Sequence, residues 1–416
     1  MLFFAGIIAV LIGLKVIAQL WLEHLNQQEV MRNAAAVPES FREAMDEGTY
    51  KKATEYTLAK GRFSRVELIF GTLLLLVVLF SGCLPFFYRW VVAHLGTSAW
   101  ALAGYLFGVG IGMSLVELPL GWVEQFRLEE RFGFNTTTQK TWWLDRVKGI
   151  LLALVIGYPL LTLVIKIVEW SGRWWWLWAW AVVMFVQLLL MVLAPILILP
   201  LFNKFSPLPE GNLRQRLLAL GERTGFHAKS IQVMDGSKRS RHSNAFFTGF
   251  GKFRKIILFD TLIQQLGEAE LEAVLAHEIG HYKKRHIPKM LVGSAIGLLL
   301  MFFLIAWLAT EEWFYRAFGF PTGSIVPALL LFSLLSGLFT FWFSPVTHLI
   351  SRRFEYQADE YAGRAMQTGQ PLVSALRKLN EKNLSNLTPH PLYSAFYYSH
   401  PTLLERERAL RNLSFP

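Results

Sequence analysis

Seven apolar stretches, each long enough to cross a bilayer as a helix, constrain this chain more than any other feature. A helix needs about 20 apolar residues to span the roughly 30 Å hydrocarbon layer. The chain has 416 residues, of which 53% are hydrophobic, too many for an ordinary soluble enzyme. An all-α polytopic membrane protein with about seven transmembrane helices is therefore predicted. The predicted spans are Leu2–Leu20, Val66–Phe87, Ala99–Leu118, Gly149–Val168, Trp174–Leu201, Met290–Ala309 and Ile325–Ile350.

Basic residues alternate from loop to loop, which predicts the orientation of the chain. The formal net charge is +11, yet the second, fourth and sixth loops carry one basic residue each (Arg89, Arg173 and Arg316), whereas the other loops and the tail carry several. Short loops rich in Lys and Arg remain in the cytosol. The alternation predicts an external N-terminus and a cytosolic tail. Membrane topology accounts for the basic charge, so no nucleic-acid binding is expected.

Two parts of the chain lie outside the predicted spans. In the loop Asn203–Pro288, apolar spacing predicts a helix at Asn212–Thr224. Short apolar runs there predict strands, and a further helix covers 266–284. The predicted strands are Ser230–Met234, Asn244–Phe253 and Lys255–Phe259. A small α+β domain is thus expected between spans five and six, and the tail Ser351–Pro416 is predicted to be helical.

A division of the chain into four segments follows from these features. The segments are membrane helices one to five with their loops (1–201), the loop domain (202–289), membrane helices six and seven (290–350) and a C-terminal segment (351–416).

A polar helical turn, VLAHEIGHYKKRH (Val274–His286), interrupts the apolar chain. His277 and His281 are four residues apart, so on a helix both imidazoles lie on one face and can bind one metal ion. Imidazole is a suitable zinc donor, and Glu278 is placed to act as a general base toward water. The simpler alternative is a helix with two surface histidines, which this motif alone does not exclude.

A second polar helix, SRRFEYQADEYAGRAM, continues out of the seventh span and offers two carboxylates on one face, Glu355 and Asp359. Catalytic zinc sites usually take three protein ligands and leave a fourth position for water. The pair fits one carboxylate on the metal and another that orients a ligand histidine through its second ring nitrogen. The alternative is an acidic helix face paired with the arginines of the same helix, Arg352, Arg353 and Arg364.

Other residues carry weaker signals, and for each a purely structural role is the alternative. His400 precedes a proline that is predicted to occupy the first position of a C-terminal helix. From there it could hydrogen-bond a developing oxyanion. A strand edge at Asn244, Ala245 and Phe246 could receive an extended substrate by β-augmentation. Three further histidines are assigned to solvent or to structure: His242, His286 and His390.

HEIGH together with SRRFEYQAD resembles the zinc-dependent CaaX prenyl proteases of type I, the integral membrane kind. Further segments extend this resemblance over nearly the whole chain. They are EERFGFNTTT (Glu129–Thr138), SNAFFTGFGKFRKIILFDTL (Ser243–Leu262) and YSHPTLLERERAL (Tyr398–Leu410).

The resemblance implies one zinc ion per chain on His277, His281 and Glu355, with Glu278 as the base. The spacing of the second polar helix predicts that Asp359 orients His277. It implies a small zincin-like catalytic domain at the cytosolic end of a chamber that the membrane helices enclose. Prenylated C-terminal CaaX peptides are the implied substrates, and membrane lipid surrounds the protein. The expected location is a bacterial inner membrane or, in a eukaryote, the endoplasmic reticulum membrane.

Two functions of different classes are compatible with these residues. The leading hypothesis is a membrane zinc endopeptidase that processes prenylated C-termini or degrades membrane proteins. The alternative is a non-catalytic carrier or receptor whose polar turn forms a structural zinc clamp. Three protein ligands with a carboxylate poised for water favour the enzyme, because structural zinc sites are normally closed by four ligands.

Overall fold

Long helices make up most of the protein, because its apolar residues occur in unbroken runs rather than in alternation. The computed structural model describes residues 2–42, 45–226, 230–248 and 255–414. π-Helical turns join α4 to α5, α6 to α7 and α8 to α9. The helices up to residue 202 are α1 (Leu2–Arg32), α2 (Glu47–Phe80), α3 (Cys83–Leu95), α4 (Ala99–Val123), α5 (Glu130–Phe132), α6 (Gln139–Leu152), α7 (Tyr158–Ser171), α8 (Trp175–Leu193) and α9 (Leu199–Phe202).

Six helical stretches within the described residues are long and apolar enough to cross a membrane. The fourth has 64 residues, roughly three times what one crossing needs. It folds back at Gly172, whose φ of +56° residues with a Cβ rarely adopt, and α7 packs against α8. This stretch therefore supplies two crossings, and the predicted polytopic helical fold is confirmed. The stretches are Phe3–Arg32, Glu47–Phe80, Ala99–Phe132, Gln139–Phe202, His286–Leu308 and Ile325–Met366.

The predicted second span, Val66–Phe87, is wrong at its C-terminal end. α2 ends at Phe80 and α3 begins at Cys83. Between them Gly82 has a φ of +79°, a left-handed conformation that interrupts a helix. Hydropathy stays high across this break, so the apolar run outweighs the local turn signal of Ser81 and Gly82.

A small mixed sheet follows the fifth crossing. Its order is β1-β2-β4-β3; β2 and β4 are parallel, and the two outer strands run antiparallel to their neighbours. The elements of this part are β1 (Phe205–Pro207), α10 (Asn212–Thr224), β2 (Ser230–Met234), β3 (Ala245–Thr248), β4 (Lys255–Phe259), α11 (Asp260–Gln265) and α12 (Glu268–Lys283).

The α+β character predicted for this loop is confirmed. The two predicted helices are present as α10 and α12, and two of the predicted strands as β2 and β4. The predicted strand Asn244–Phe253 is present as β3 up to Thr248, and its remainder from 249 to 253 lies outside the described residues. β1 was not predicted. It has three residues and ends in Pro207. Proline has no backbone N–H to donate, so it is found mainly on edge strands, and β1 is an edge strand.

The last third of the chain is helical, and α15 runs without interruption for 42 residues. The prediction that the second polar helix continues out of the seventh span is therefore confirmed. The prediction that Pro401 occupies the first position of the last helix is wrong, because Thr402 is the cap and the helix begins one residue later. These helices are α13 (His286–Leu308), α14 (Glu312–Arg316), α15 (Ile325–Met366), α16 (Gln370–Lys382), α17 (Pro391–Tyr397) and α18 (Leu403–Arg411).

One hydrophobic core joins parts of the chain that are distant in sequence. Its buried side chains come from the start of α2, the segment 128–134, the sheet, α12 and the C-terminal helices. Tyr56, Phe132, Ile256 and Leu376 are examples. The globular part thus draws on more of the chain than the predicted loop domain, and the division into four segments stays a prediction.

Buried acidic residues fix α12 against its neighbours on two sides. Glu272 accepts hydrogen bonds from Arg216 and Arg223 of α10, at 2.7 Å and 2.8 Å for the closest pair from each arginine. Glu270 pairs with Lys378 of α16 at 2.8 Å and also accepts from the Gly267 backbone N–H at the start of the helix. These contacts hold α12 in a defined rotation.

Gly280 lets α12 approach α15 at backbone distance. A Cβ built on Gly280 would stand 2.9 Å from Cα and 3.0 Å from O of Ala358, and 3.2 Å from Cβ of Tyr361. Two of these atoms belong to the backbone and cannot turn away. A glycine here is therefore a condition for bringing the residues of the two helices together.

We expect Gly280→Ala to lower the free energy of unfolding by about 1–3 kcal/mol, as overpacking in a tight contact does. The added methyl group forces α12 and α15 apart. Thermal unfolding in detergent measures the change. Gly293→Ala in α13 is the matched control, because its Cβ meets no atom within 4 Å. Equal stability of the two variants would contradict the close-approach argument.

Candidate active site

His277 and His281 project from one face of α12 toward Glu355 of α15. The Nε2 atoms of the two histidines are 3.1 Å apart. Glu355 places Oε1 3.3 Å from Nε2 of His281 and Oε2 3.4 Å from Nε2 of His277. One ligand atom from each residue lies within 4.8 Å of the others. About 75 residues of sequence separate the two histidines from Glu355. The two helices nevertheless present three donor atoms to one point.

The donor atoms fit a zinc ion. Oε2 of Glu355 is buried and accepts no hydrogen bond among the described residues, although an unsatisfied buried carboxylate oxygen is costly. Two histidines and one glutamate form a known ligand set of catalytic zinc. Ligand atoms about 2.0–2.1 Å from one tetrahedral ion lie roughly 3.3 Å from each other, close to the separations found here. A divalent cation would satisfy the carboxylate oxygen and both imidazoles.

Glu278 stands beside the cluster without belonging to it. It follows His277 on the helix, so its side chain points along a different direction from the two imidazoles. Burial raises the pKa of Glu278, and the charges of His277 and His281 oppose that rise. A carboxylate with a raised pKa is a stronger proton acceptor. Its position and its pKa both suit a general base.

Asp359 orients His277 from the side away from the cluster. Its Oδ1 lies 2.8 Å from Nδ1 of His277. Arg406 of α18 donates to both oxygens of Asp359, at 2.8 Å through Nε and 2.6 Å through Nη2. All three residues are buried. An ionised Asp359 only accepts, so Nδ1 of His277 carries the proton and its Nε2 faces Glu355 with a free lone pair.

The potential at His277 favours a cation. Burial by itself disfavours the charged imidazolium, but the nearby carboxylates of Asp359 and Glu355 outweigh burial and raise the pKa of His277 to about 9. The same negative field that would retain a proton at this imidazole attracts a metal ion.

The alternative of an ordinary acidic helix face is wrong for this pair. Glu355 and Asp359 are 5% and 1% exposed. Arg364 pairs with Glu360 instead, and Arg352 donates to the backbone O of Tyr398 at 2.8 Å. The actual partner, Arg406, was not predicted, although it lies within the quoted segment YSHPTLLERERAL.

His286 also belongs to this site, so its assignment to solvent or structure missed a contact with the cluster. It is 1% exposed, and its Nδ1 lies 2.9 Å from Nδ1 of His281. Its Nε2 lies 2.9 Å from Oε1 of Gln357, and its ring stacks on Phe354 at 4.2 Å between centroids. Neither His286 nor Gln357 was predicted to act near the metal ligands.

The two weaker candidates differ in where the fold places them. His400 stands at the exposed rim of the cluster, with Nε2 3.5 Å from Oε1 of Glu355 and Nδ1 3.0 Å from Oγ of Ser399. Asn244 is exposed, and its side chain accepts from the backbone N–H of Ala245 at 2.8 Å. Ala245 and Phe246 lie in β3, an outer strand of the sheet that packs on α12. The other two histidines have structural contacts: His242 stacks on Phe134, and His390 caps α17.

Asp359→Ala should have two separable effects. It leaves Arg406 buried without its partner, and breaking a buried pair in this way costs about 3–5 kcal/mol of unfolding free energy. It also removes the hydrogen bond that orients His277, which typically weakens metal binding roughly 10–100-fold.

The double variant Asp359→Ala, Arg406→Leu tests that separation. Stability should recover, since the unpaired charge is gone, while metal affinity should stay low. Thermal unfolding and competition with a chelator measure the two quantities. If the double variant bound metal as tightly as the unmodified protein, Asp359 would have no orienting role.

Comparisons with known proteins agree with this geometry. Residues 207–414 match a family model described as peptidase family M48, and residues 27–204 match one described as CAAX prenyl protease N-terminal, five membrane helices. The chain is 38% identical to CAAX prenyl protease 1 of Saccharomyces cerevisiae over 404 residues, which are 91% of this chain and 89% of that protein.

Two further relatives extend the match. The CAAX prenyl protease 1 homolog of Homo sapiens is 30% identical, over 93% of this chain and 91% of that protein. The crystal structure of S. mikatae Ste24p has a TM-score of 0.92 at 35% identity and covers 98% of both chains. These matches do not favour the carrier or receptor alternative. The chain belongs to the CAAX prenyl protease family of M48 peptidases and is a polytopic membrane metalloprotease.

Proposed function

We propose that this protein cleaves prenylated C-terminal CaaX peptides at one zinc ion held by His277, His281 and Glu355. The observation that carries the proposal is the convergence of two imidazole nitrogens and a buried, unsatisfied carboxylate oxygen on one point. The relatives, CAAX prenyl protease 1 and its homologs, support this substrate class.

The residues around the cluster have separate roles in the reaction. Zinc bound here would polarise the peptide carbonyl and acidify water. Glu278 takes the proton from the attacking water and returns it to the leaving amine. His400, at the open rim of the cluster, donates a hydrogen bond to the oxyanion that develops on the carbonyl. Asp359 keeps Nε2 of His277 free of a proton throughout.

The outer edge of β3 supplies a place for the peptide. β3 pairs with β4 on one side only, among the strands that the structure describes. The backbone O of Asn244 accepts from the backbone N–H of Phe259 in β4, so in the alternation of an antiparallel strand Ala245, between Asn244 and Phe246, turns its backbone to the open edge. An extended peptide can therefore add there as a further strand. β3 also packs against α12, so a peptide on this edge runs beside the helix that carries His277 and Glu278. We also propose that the membrane helices enclose a chamber, as the resemblance to the CaaX prenyl proteases implies.

Glu278→Gln should retain zinc but lose about 10²–10⁴-fold in turnover, the usual consequence of losing a general base. The assay is cleavage of a farnesylated CaaX peptide by purified protein, with the unprenylated peptide for comparison and metal content measured on the same sample. Near-normal turnover of the zinc-loaded variant would remove Glu278 from the mechanism. Equal cleavage of the two peptides would leave the protease intact but remove the prenyl preference.

We also propose that the active site faces the cytosol, in the endoplasmic reticulum membrane of a eukaryote or the inner membrane of a bacterium. The alternation of basic loops supports this orientation, and ligands from α12 and α15 must share one compartment to share one ion.

A tag after Pro416 should be accessible from the cytosol only, whereas a tag inserted within 310–324 should be accessible from the opposite side only. Protease protection of intact vesicles, before and after detergent, measures both. Accessibility of the two tags from the same side would contradict the proposed orientation.

A further inference from the structure

A short, unusual connection places His286 behind His281. α12 ends at Lys283 and α13 begins at His286. Arg285, which precedes α13, has φ of 55° and ψ of 39°, a left-handed conformation that side chains other than Asn, Asp and Gly seldom adopt. The chain turns sharply there, and the imidazole of His286 folds back against the last turn of α12. The fold thus maintains an unfavourable backbone conformation at the point that delivers this ring.

The ring of His286 is held on its remaining sides by α15. Phe354 stacks against it with an angle of 9° between the ring planes, and Gln357 hydrogen-bonds its Nε2 at 2.9 Å. α15 therefore carries the candidate ligand Glu355, the partner of His277, and the two residues that hold His286. Both ring nitrogens of the buried His286 are thus in hydrogen bonds, one of them to a candidate metal ligand.

The hydrogen bonds are donated in one direction, from the cluster toward Gln357. Oε1 of Gln357 is an acceptor, so Nε2 of His286 is the donor in that bond. A neutral His286 then has a free lone pair on Nδ1, which accepts from Nδ1–H of His281 at 2.9 Å. His281 is left with its lone pair on Nε2, the atom that lies 3.3 Å from Oε1 of Glu355.

We propose that His286 is a positioning residue for the metal: with Gln357 it forms a neutral relay that holds His281 with its Nε2 lone pair directed at the zinc ion. The inference rests on the proposed zinc ligands. His277 and His281 are then oriented by different partners. The ion pair of Asp359 with Arg406 orients His277, and the uncharged pair of His286 with Gln357 orients His281.

The uncharged partner has a physical consequence. A second carboxylate behind His281 would add another buried negative charge close to Glu355, where burial of unpaired charge is costly. An imidazole and an amide orient the ligand without that charge. Ligand orientation by such outer residues is typically worth roughly 10–100-fold in metal affinity.

The test compares zinc affinities of variants in the full-length protein, measured by competition with a chelator. His286→Phe keeps a ring that can stack on Phe354 but removes both hydrogen bonds, and it should weaken zinc binding roughly 10–100-fold. His286→Asn should recover most of the affinity, because its Oδ1 can take the place of Nδ1 and accept from His281. Gln357→Met should weaken binding in the same direction as His286→Phe.

Two further measurements separate positioning from a general effect on the fold. With Co²⁺ in place of zinc, the visible absorption of the bound ion should change in His286→Phe and return toward the unmodified spectrum in His286→Asn. His94→Phe is the matched control, since His94 is an exposed histidine of α3 and the same substitution there should leave affinity and spectrum unchanged.

The outcomes distinguish this inference from the proposed function. If the unmodified protein held no zinc, or His281→Ala retained it, the ligand assignment itself would fail. If zinc bound as assigned and both His286→Phe and Gln357→Met kept the unmodified affinity, only the relay would be refuted. An Asn variant as weak as the Phe variant would also refute it, because the restored acceptor would then have no effect.

Discussion

The backbone contact between α12 and α15 is the constraint on which the rest of the site depends. Gly280 has no Cβ and faces Ala358, so the two helix axes come closer than larger residues allow. At that separation His281, which follows Gly280, and Glu355, about one turn before Ala358, meet at 3.3 Å. The ion pairs of Glu270 and Glu272 with α16 and α10 fix the rotation of α12 about its axis. Helix spacing and helix rotation together place three donor atoms at one point.

Charge in the centre is balanced by a few buried groups. Glu355, Asp359 and Glu278 bring negative charge, and Arg406 opposes it through the bidentate contact with Asp359 and a 3.7 Å approach to Glu355. Removing Asp359 or Arg406 leaves the other charge buried without its partner, which is more costly than the pair is favourable. The neutral partner of His281 fits this balance. The polar residues therefore act as one electrostatic unit, and a substitution at one position changes the environment of the others.

Local spacing made the main elements of the site predictable. His277 and His281 are one turn apart on a helix, as are Glu355 and Asp359, and a period of 3.6 residues is enough to place each pair on one face. Arg406 and His286 are different, because their roles depend on how helices far apart in sequence pack. The periodicity of the sequence does not predict that α18 brings Arg406 to Asp359, or that the left-handed backbone of Arg285 turns His286 back onto α12. The break at Gly82 and the three-residue strand β1 were also not predicted, because a hydropathy average over many residues does not resolve features this short.

The continuity of α15 joins the active site to the membrane. The predicted seventh span ends at Ile350, and Glu355 follows on the same helix, about 8 Å further along at 1.5 Å per residue. α13 leaves the other side of the site directly into the sixth crossing. The donor atoms therefore lie within a few helical turns of the apolar part of α15, where the membrane helices join the globular part. A peptide with a lipid chain near the bond to be cleaved can keep that chain in an apolar environment while its backbone reaches Glu278, a geometry that suits the proposed substrate better than a peptide without a lipid.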